Sequence, residues 1–211
     1  AIEVRRKLER RGFEVSVLAD ETWTSLDVEE GRKHLEKLVT LADTLGVSYI
    51  RIKPPRQDQK ENGFKMATQS LNALANSAAE NRKILLLENS PESYGDTSKA
   101  YADLLTKVSS HCLRAAFNPA NFVQMGESPL YGVLRRRPVK KFLQQLYITD
   151  AVFKGGAYVL PGQGNGEILE AISDVRCRSF SGFLCLRPSM GGGVDLFRKA
   201  ARALWALMAS L

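Results

Sequence analysis

Histidine is nearly absent from this chain. His34 and His111 are the only two in 211 residues, too few for an imidazole-rich zinc cluster. Cysteine is scarce as well: Cys112, Cys177 and Cys185 are an odd number with no close pairing. That excludes a disulfide scaffold and leads us to expect reduced thiols in a cytoplasmic protein. Long apolar runs are missing. The longest, Ala203 to Ala209, falls far short of the roughly 20 residues that span a bilayer, so no membrane partner is expected. No signal peptide is legible, because the chain opens at Ala1 within a charged, helix-like stretch.

What is present is ordinary for one soluble domain over residues 1–211: 44% hydrophobic and 25% charged. The net charge of +7 raises the question of nucleic acid. Two basic runs carry much of it, Arg5, Arg6, Lys7, Arg10 and Arg11, then Arg135, Arg136, Arg137, Lys140 and Lys141. Neither run comes with interleaved aromatics, a helix-turn-helix pattern or zinc spacing. Both read as solvated surface, and no nucleic-acid partner is expected.

The segments alternate. Ala1 to Arg11 reads as helix and Phe13 to Ala19 as a strand rich in valine and leucine. Asp27 and Glu30 form a capping-box pattern that opens a helix ended by Gly46. Val47 to Lys53 is a strand stopped by Pro54 and Pro55, Gly63 to Glu80 a helix, and Lys83 to Glu88 a strand. Asp96 to Ser109 is helical, Cys112 to Asn118 extended, Ser128 to Arg137 a short helix, and Leu143 to Thr149 extended again. Ala157 to Leu160 is a weaker strand candidate. Glu167 to Val175 is helical, Gly182 to Arg187 is the last strand, and Val194 to Met208 closes the chain as a helix with Trp205 expected in the core.

This alternation means βαβ units and a parallel sheet. An open doubly wound sheet usually places a glycine-rich phosphate loop after its first strand, and none follows Ala19. A (β/α)8 barrel fits better. Seven strands, the weak one included, are one short of eight, so the first βα unit is expected to be lacking at the N-terminus. Barrel sites form at the C-terminal strand ends. Side chains alternate along a strand, which turns Tyr49, Arg51, Lys53, Glu88, Asn118, Tyr147, Thr149 and Arg187 toward the lumen, where they would ring one pocket.

Five motifs then point to one family. Leu85-Leu86-Leu87-Glu88-Asn89-Ser90-Pro91 resembles the Leu-Glu-Asn-His-Pro segment of the sugar phosphate isomerases/epimerases, the xylose isomerase-like TIM barrels. Ala115 to Phe122, followed by Gly126 to Leu130, resembles the family's Leu-Asp-Pro-x-Asn and Gly-x-x-Pro stretch. Leu146 to Ala151 is similar to Val-His-Leu-Lys-Asp-Ala, Leu160 to Gly164 to Pro-Leu-Gly-Glu-Gly, and Gly182 to Pro188 to the final Gly-x-Leu-x-Ile-Glu-Pro strand.

The resemblance implies four metal ligands: glutamate, aspartate, histidine and glutamate. Their positions fall on Glu88, Asn118, Tyr147 and Arg187, so only the first acid is kept. Family members use a divalent metal to polarise a carbonyl and two glutamates to move the proton. With the first ligand opposed by Arg187, the inherited charge of minus three becomes zero, and no cofactor is expected. A Mn, Co, Mg or Zn ion would bind only if Glu88 found other ligands, with Asp150 as a displaced one and Asp20, which like Glu21 follows the first visible strand, as a further candidate.

Two functions follow as expectations. In one, a degenerate barrel binds a sugar phosphate or sugar acid through Arg51, Lys53, Asn118, Tyr147 and Arg187, without the inherited turnover. In the other, an active isomerase or epimerase uses Glu88 as base, with altered, displaced or absent metal. Pairing of Arg187 with Glu88 is the plainer expectation for those charges. The apurinic-endonuclease branch needs histidines the chain lacks, and xylose isomerase proper is longer and carries two metals.

Overall fold

The computed structural model describes residues 1–58, 61–108, 110–135 and 138–211. The chain divides into two compact units. The first comprises Ala1–Glu88, Glu92–Tyr94 and Leu104–Arg114, and the second Asn89–Pro91, Gly95–Asp103 and Ala115–Leu211.

In the first unit, helix α1 (Ile2–Glu9) leads into β1 (Val17–Trp23). That strand begins at Val17 rather than Phe13. Gly12 turns the chain at a φ of 74° and Phe13 stays exposed, so residues 10–16 are a connector. Helix α2 (Val28–Leu45) starts where Asp27 accepts from the Glu30 backbone N–H at 2.8 Å. Glu30 does not return the bond; its carboxylate accepts from Ser25 Oγ at 2.7 Å, so the capping box is half formed. Gly46 ends the helix in the left-handed conformation (φ 71°), which an L side chain adopts only with strain. Then come β2 (Tyr49–Lys53), α3 (Gly63–Glu80) and β3 (Ile84–Glu88).

The three strands pair in parallel in the order β1-β2-β3. Ile50, Ile52, Leu85 and Leu87 are buried, as are Leu35, Val39 and Ala42 of α2 and Leu71, Leu74 and Ala78 of α3. Each such leucine or isoleucine contributes roughly 2 kcal/mol by leaving water. The alternating face of β2 instead buries Arg51. No hydrophobic argument explains a guanidinium there, so it needs partners.

Elements α4 (Ser98–Lys107) and β4 (Leu113–Phe117) contribute residues to both units. The second unit continues with α5 (Pro119–Gln124), a π-helical segment Pro129–Leu134, a 3-10 turn Pro138–Lys141 and β5 (Leu143–Ile148). It ends with β6 (Asp150–Ala151), β7 (Tyr158–Val159), α6 (Ile168–Arg176), β8 (Phe183–Leu186) and α7 (Gly193–Ala209). Strands β4, β5 and β8 are parallel neighbours. Phe122 packs on Phe117 and Tyr101 with centroids 5.3 and 5.9 Å apart, an aromatic group in this unit's core.

Three expectations need correction. The weak strand at Ala157 to Leu160 is not a parallel barrel strand. Tyr158–Val159 pairs antiparallel with Asp150–Ala151, a two-residue ribbon too short to cross a sheet, which leaves six parallel strands among the described residues. The helix expected from Ser128 is π-helical over Pro129–Leu134, and helix α5, started by Pro119 at its first position, was not foreseen. Trp205 is not in the core. It is 68% exposed on α7, where Val194 and Phe197 are also exposed.

The expected helix ends at Ser109 and Arg137, and Arg136 of the basic cluster, lie outside the described residues. Of the rest of that cluster, Arg135 reaches Asp174 at 3.3 Å and stacks over Tyr131 at 4.9 Å, while Lys140 and Lys141 are exposed. In α1, Arg5 pairs with Glu9 and Lys7 with Glu3, each at 2.8 Å. Among the described residues, no helix is long and apolar enough to cross a membrane.

Candidate functional site

In the first unit the structure brings together Arg51, Lys53 and Glu88, and adds Glu21. Arg51 is fully buried at the centre of β2. Its Nη1 donates to the Asp20 carbonyl oxygen at 2.7 Å and lies 3.3 Å from Glu88 Oε2, and its Nη2 donates to Glu21 Oε1. Its Nε is buried with no hydrogen-bond partner among the described residues. Lys53 Nζ sits 2.9 Å from Glu21 Oε2 and 5.5 Å from the Trp23 ring centroid. Alternation along the strands accounts for this group. Arg51 and Lys53 are two residues apart on one face of β2, and Glu88 is the last residue of β3 on the same side.

Glu21 was expected only as an acid placed after the first strand, within reach of the pocket; its pairing with Arg51 and Lys53 comes from the structure. Burial alone would raise its pKa. The hydrogen bond from Lys53 and the charge of Arg51 outweigh that and lower it from 4.5 to about 2. A carboxylate whose pKa is depressed in the folded state stabilises that state fully above the ordinary value, and the contribution is lost as pH falls toward the folded value. The melting temperature is therefore expected to decline between pH 4.5 and 2. In Glu21→Gln the decline over that window should be visibly shallower; identical pH profiles by circular dichroism would refute this assignment.

The opposite side of β1 holds a second arrangement. His34 of α2 turns its Nε2 to within 2.8 Å of Asp20 Oδ2 and 3.1 Å of Thr22 Oγ1. Thr22 also donates to Asp20 through its backbone N–H and its hydroxyl. Burial raises the Asp20 pKa, but the bonds from Thr22 and His34 prevail and hold it below the usual carboxylate range.

In the second unit Tyr147, Thr149 and Arg187 come together. The Arg187 guanidinium carbon lies 4.2 Å from the Tyr147 ring centroid, a cation–π stack, and Thr149 Oγ1 donates to the Arg187 carbonyl oxygen at 2.9 Å. The Asn118 backbone N–H donates to Asn89 Oδ1 at 2.8 Å, and Asn89 Nδ2 returns a bond to the Asn118 carbonyl oxygen at 2.9 Å. Asn121 Nδ2 donates to the Asn89 carbonyl oxygen at 2.6 Å. These amides make Asn89 a clasp on the end of β4, a role not read from the sequence.

Asp150 organises a loop. Its Oδ1 accepts from the backbone N–H groups of Ala151 and Gly166 at 2.9 and 2.8 Å, and its Oδ2 from those of Gly162 and Gly164 at 2.9 Å. A Cβ at Gly164 would overlap both this carboxylate and the Ala151 carbonyl, so the loop needs glycine to wrap so closely. Among the described residues no group of three or more histidine, cysteine, aspartate or glutamate side chains is arranged to hold a metal ion.

The profile of the xylose isomerase-like TIM barrel matches residues 1–204. The chain belongs to that family. Among solved structures the fold recurs widely, and several are similar over nearly the whole chain. The IolI protein with a bound zinc atom superposes with a TM-score of 0.83 at 16% identity, over 99% of this chain and 81% of that one. The probable 3-DHS dehydratase AsbF of petrobactin synthesis from Bacillus anthracis gives 0.81 at 16% identity, over 96% and 81%. A D-tagatose 3-epimerase-like protein gives 0.80 at 15% identity, over 99% and 82%. Among curated proteins the chain has no match. At these identities the likeness carries the fold, so the chemistry of this xylose isomerase-like chain rests on its own residues.

Proposed function

We propose that this family member, taken as one barrel domain over residues 1–211, binds a sugar phosphate or sugar acid and does not carry out the metal-dependent isomerisation of its relatives. The observation that carries the reading is Arg187, a cation stacked on Tyr147. Together they occupy two of the four positions at which the family's ligands stand, and Asn118 occupies a third. A guanidinium about 4 Å from a divalent ion would oppose it by roughly 8 kcal/mol at an effective dielectric of 20. The donor set does not fit Mn, Co, Mg or Zn, since hard cations want anionic oxygen ligands. Asp150 offers no relief, because both its oxygens are engaged by four backbone donors.

Arg187 is half-buried on a strand end, and its planar fork suits a phosphate or carboxylate bidentately. Thr149 fixes the backbone beneath it, and Tyr147 holds the plane of the guanidinium. In the first unit, Arg51 and Lys53 already face Glu21, with Glu88 against Arg51. Anion capture is assigned to Arg187 in the second unit, while Arg51 and Lys53 hold the acids of the first. Glu88, the one retained acid, balances Arg51 rather than serving as a base. A cytoplasmic setting and a small-molecule partner belong to the same proposal.

Glucose 6-phosphate, fructose 6-phosphate and gluconate are expected to raise the melting temperature of the wild type and not of Arg187→Glu. Purified protein is expected to carry no stoichiometric divalent metal by mass spectrometry. Equal ligand shifts in both proteins would remove the anion site. One equivalent of metal that disappears in Glu88→Gln, together with ketose turnover, would instead make the chain an active isomerase with Glu88 as base.

A further inference from the structure

Between the strands and helices of the first unit lies a cavity of about 210 Å³, reached past the Asp20–His34–Thr22 cluster. Its floor is apolar, formed by Leu35, Ile52, Leu74 and Leu85. These side chains belong to α2, α3 and the helix-facing sides of β2 and β3, whereas Arg51, Glu21 and Glu88 meet on the other side of the same strands. The cavity is thus separate from the residues assigned above to sugar binding. A dry cavity of roughly 150 Å³ already admits a benzene ring, so this one has room for a six-membered ring and a short substituent.

Its mouth has a different character. Asp20, Glu30 and His34 line it, along with the hydroxyls of Thr22, Thr24 and Ser25. Glu30 accepts from Ser25, and Asp20 from Thr22 and His34, so both carboxylates are anchored rather than swinging free. Two anchored acids thus stand beside one histidine at the entrance to an apolar chamber. An ammonium group would be attracted there and a carboxylate repelled. Gly31 adds no side chain to the wall beside them.

We propose that this cavity is a second small-molecule site, one that takes a primary amine bearing a single apolar ring, with the ring on the leucine floor and the ammonium against Asp20. An apolar body with one oriented polar group is the ordinary design of a small-ligand pocket.

Isothermal titration at neutral pH with benzylamine, benzyl alcohol and benzoate tests it on the full chain. Benzylamine is expected to bind one to one in the millimolar range or tighter, benzyl alcohol more weakly, and benzoate not at all. Asp20→Asn should weaken benzylamine about tenfold, the loss of one charge-assisted contact, and leave benzyl alcohol unchanged. Leu38 of α2 also lines the chamber; Leu38→Trp, which fills it, should abolish both, and Arg187→Glu should change neither. Benzoate binding as well as benzylamine, no heat with any of the three, or undiminished binding in Leu38→Trp would each overturn the proposal. Asp20→Asn leaves the apolar floor intact, so it remains decisive if the tryptophan variant fails to fold.

Discussion

Replacing Arg51 with methionine is expected to cost about 3–5 kcal/mol of folding stability, the usual result of removing one partner from a buried ion pair. Methionine fills much of the same volume, so the loss is electrostatic rather than a cavity effect. Glu88 is only 1% exposed and would be left in a site that no longer contains the Arg51 guanidinium 3.3 Å away. Glu21 and the Asp20 carbonyl oxygen would lose a donor at the same time. The double variant Arg51→Met/Glu88→Leu should recover most of the loss, because an apolar pair of similar size removes the desolvation penalty of both charges. Urea denaturation of the three proteins measures this. A single-variant loss under about 1 kcal/mol would mean that solvent reaches the group and that burial of the pair is not what makes it costly to break.

Asp150→Ala should be comparably damaging for a different reason. Four backbone N–H groups converge on that carboxylate at 2.8 to 2.9 Å. A buried donor left without an acceptor costs about 1–3 kcal/mol. Four of them, discounted for water entering the loosened loop, give about 4 kcal/mol, or a fall in melting temperature on the order of 10 °C for a chain of this size. Hydrogen exchange should localise the effect, with the amides of Ala151, Gly162, Gly164 and Gly166 losing protection ahead of the core strands. Retained protection at Gly164 and Gly166 would show that the glycine loop holds itself without the acid.

The order of strands and helices was legible because it rests on periodicity and punctuation. Asp27, Gly46, Pro54 and Gly63 mark boundaries that the structure keeps to within a residue or two. The antiparallel ribbon of Asp150–Ala151 with Tyr158–Val159 was not legible, since two residues carry no period. Helix α5 was hidden because Asn118-Pro119-Ala120-Asn121 reads as a turn until the Pro at its first helical position is recognised as a start.

At the candidate site, strand parity set Arg51, Lys53 and Glu88 on one side, and the structure puts Arg51 against Glu88 and Lys53 against Glu21. Parity could not supply Glu21, because β1 runs on to Trp23 past the point where its apolar pattern stops. Asn89 is the same kind of omission. It was quoted as part of a motif, but its clasp on Asn118 depends on side-chain geometry that spacing does not encode. The resemblance singled out Asn118, Tyr147 and Arg187 as positions where ligands are expected to be replaced; the structure supplied the contacts these residues make.

The two tryptophans bear on how unfolding is to be observed. Trp205 is 68% exposed on α7, so its emission is already that of an indole in water and changes little when the chain opens. Trp23 sits half-shielded beside Lys53 in the first unit. An intrinsic-fluorescence trace will therefore follow the surroundings of Trp23 almost exclusively, while far-ultraviolet dichroism averages over every helix. The gap between the two curves becomes a direct gauge of cooperativity along the chain, and iodide, which quenches the outer indole first, sharpens it.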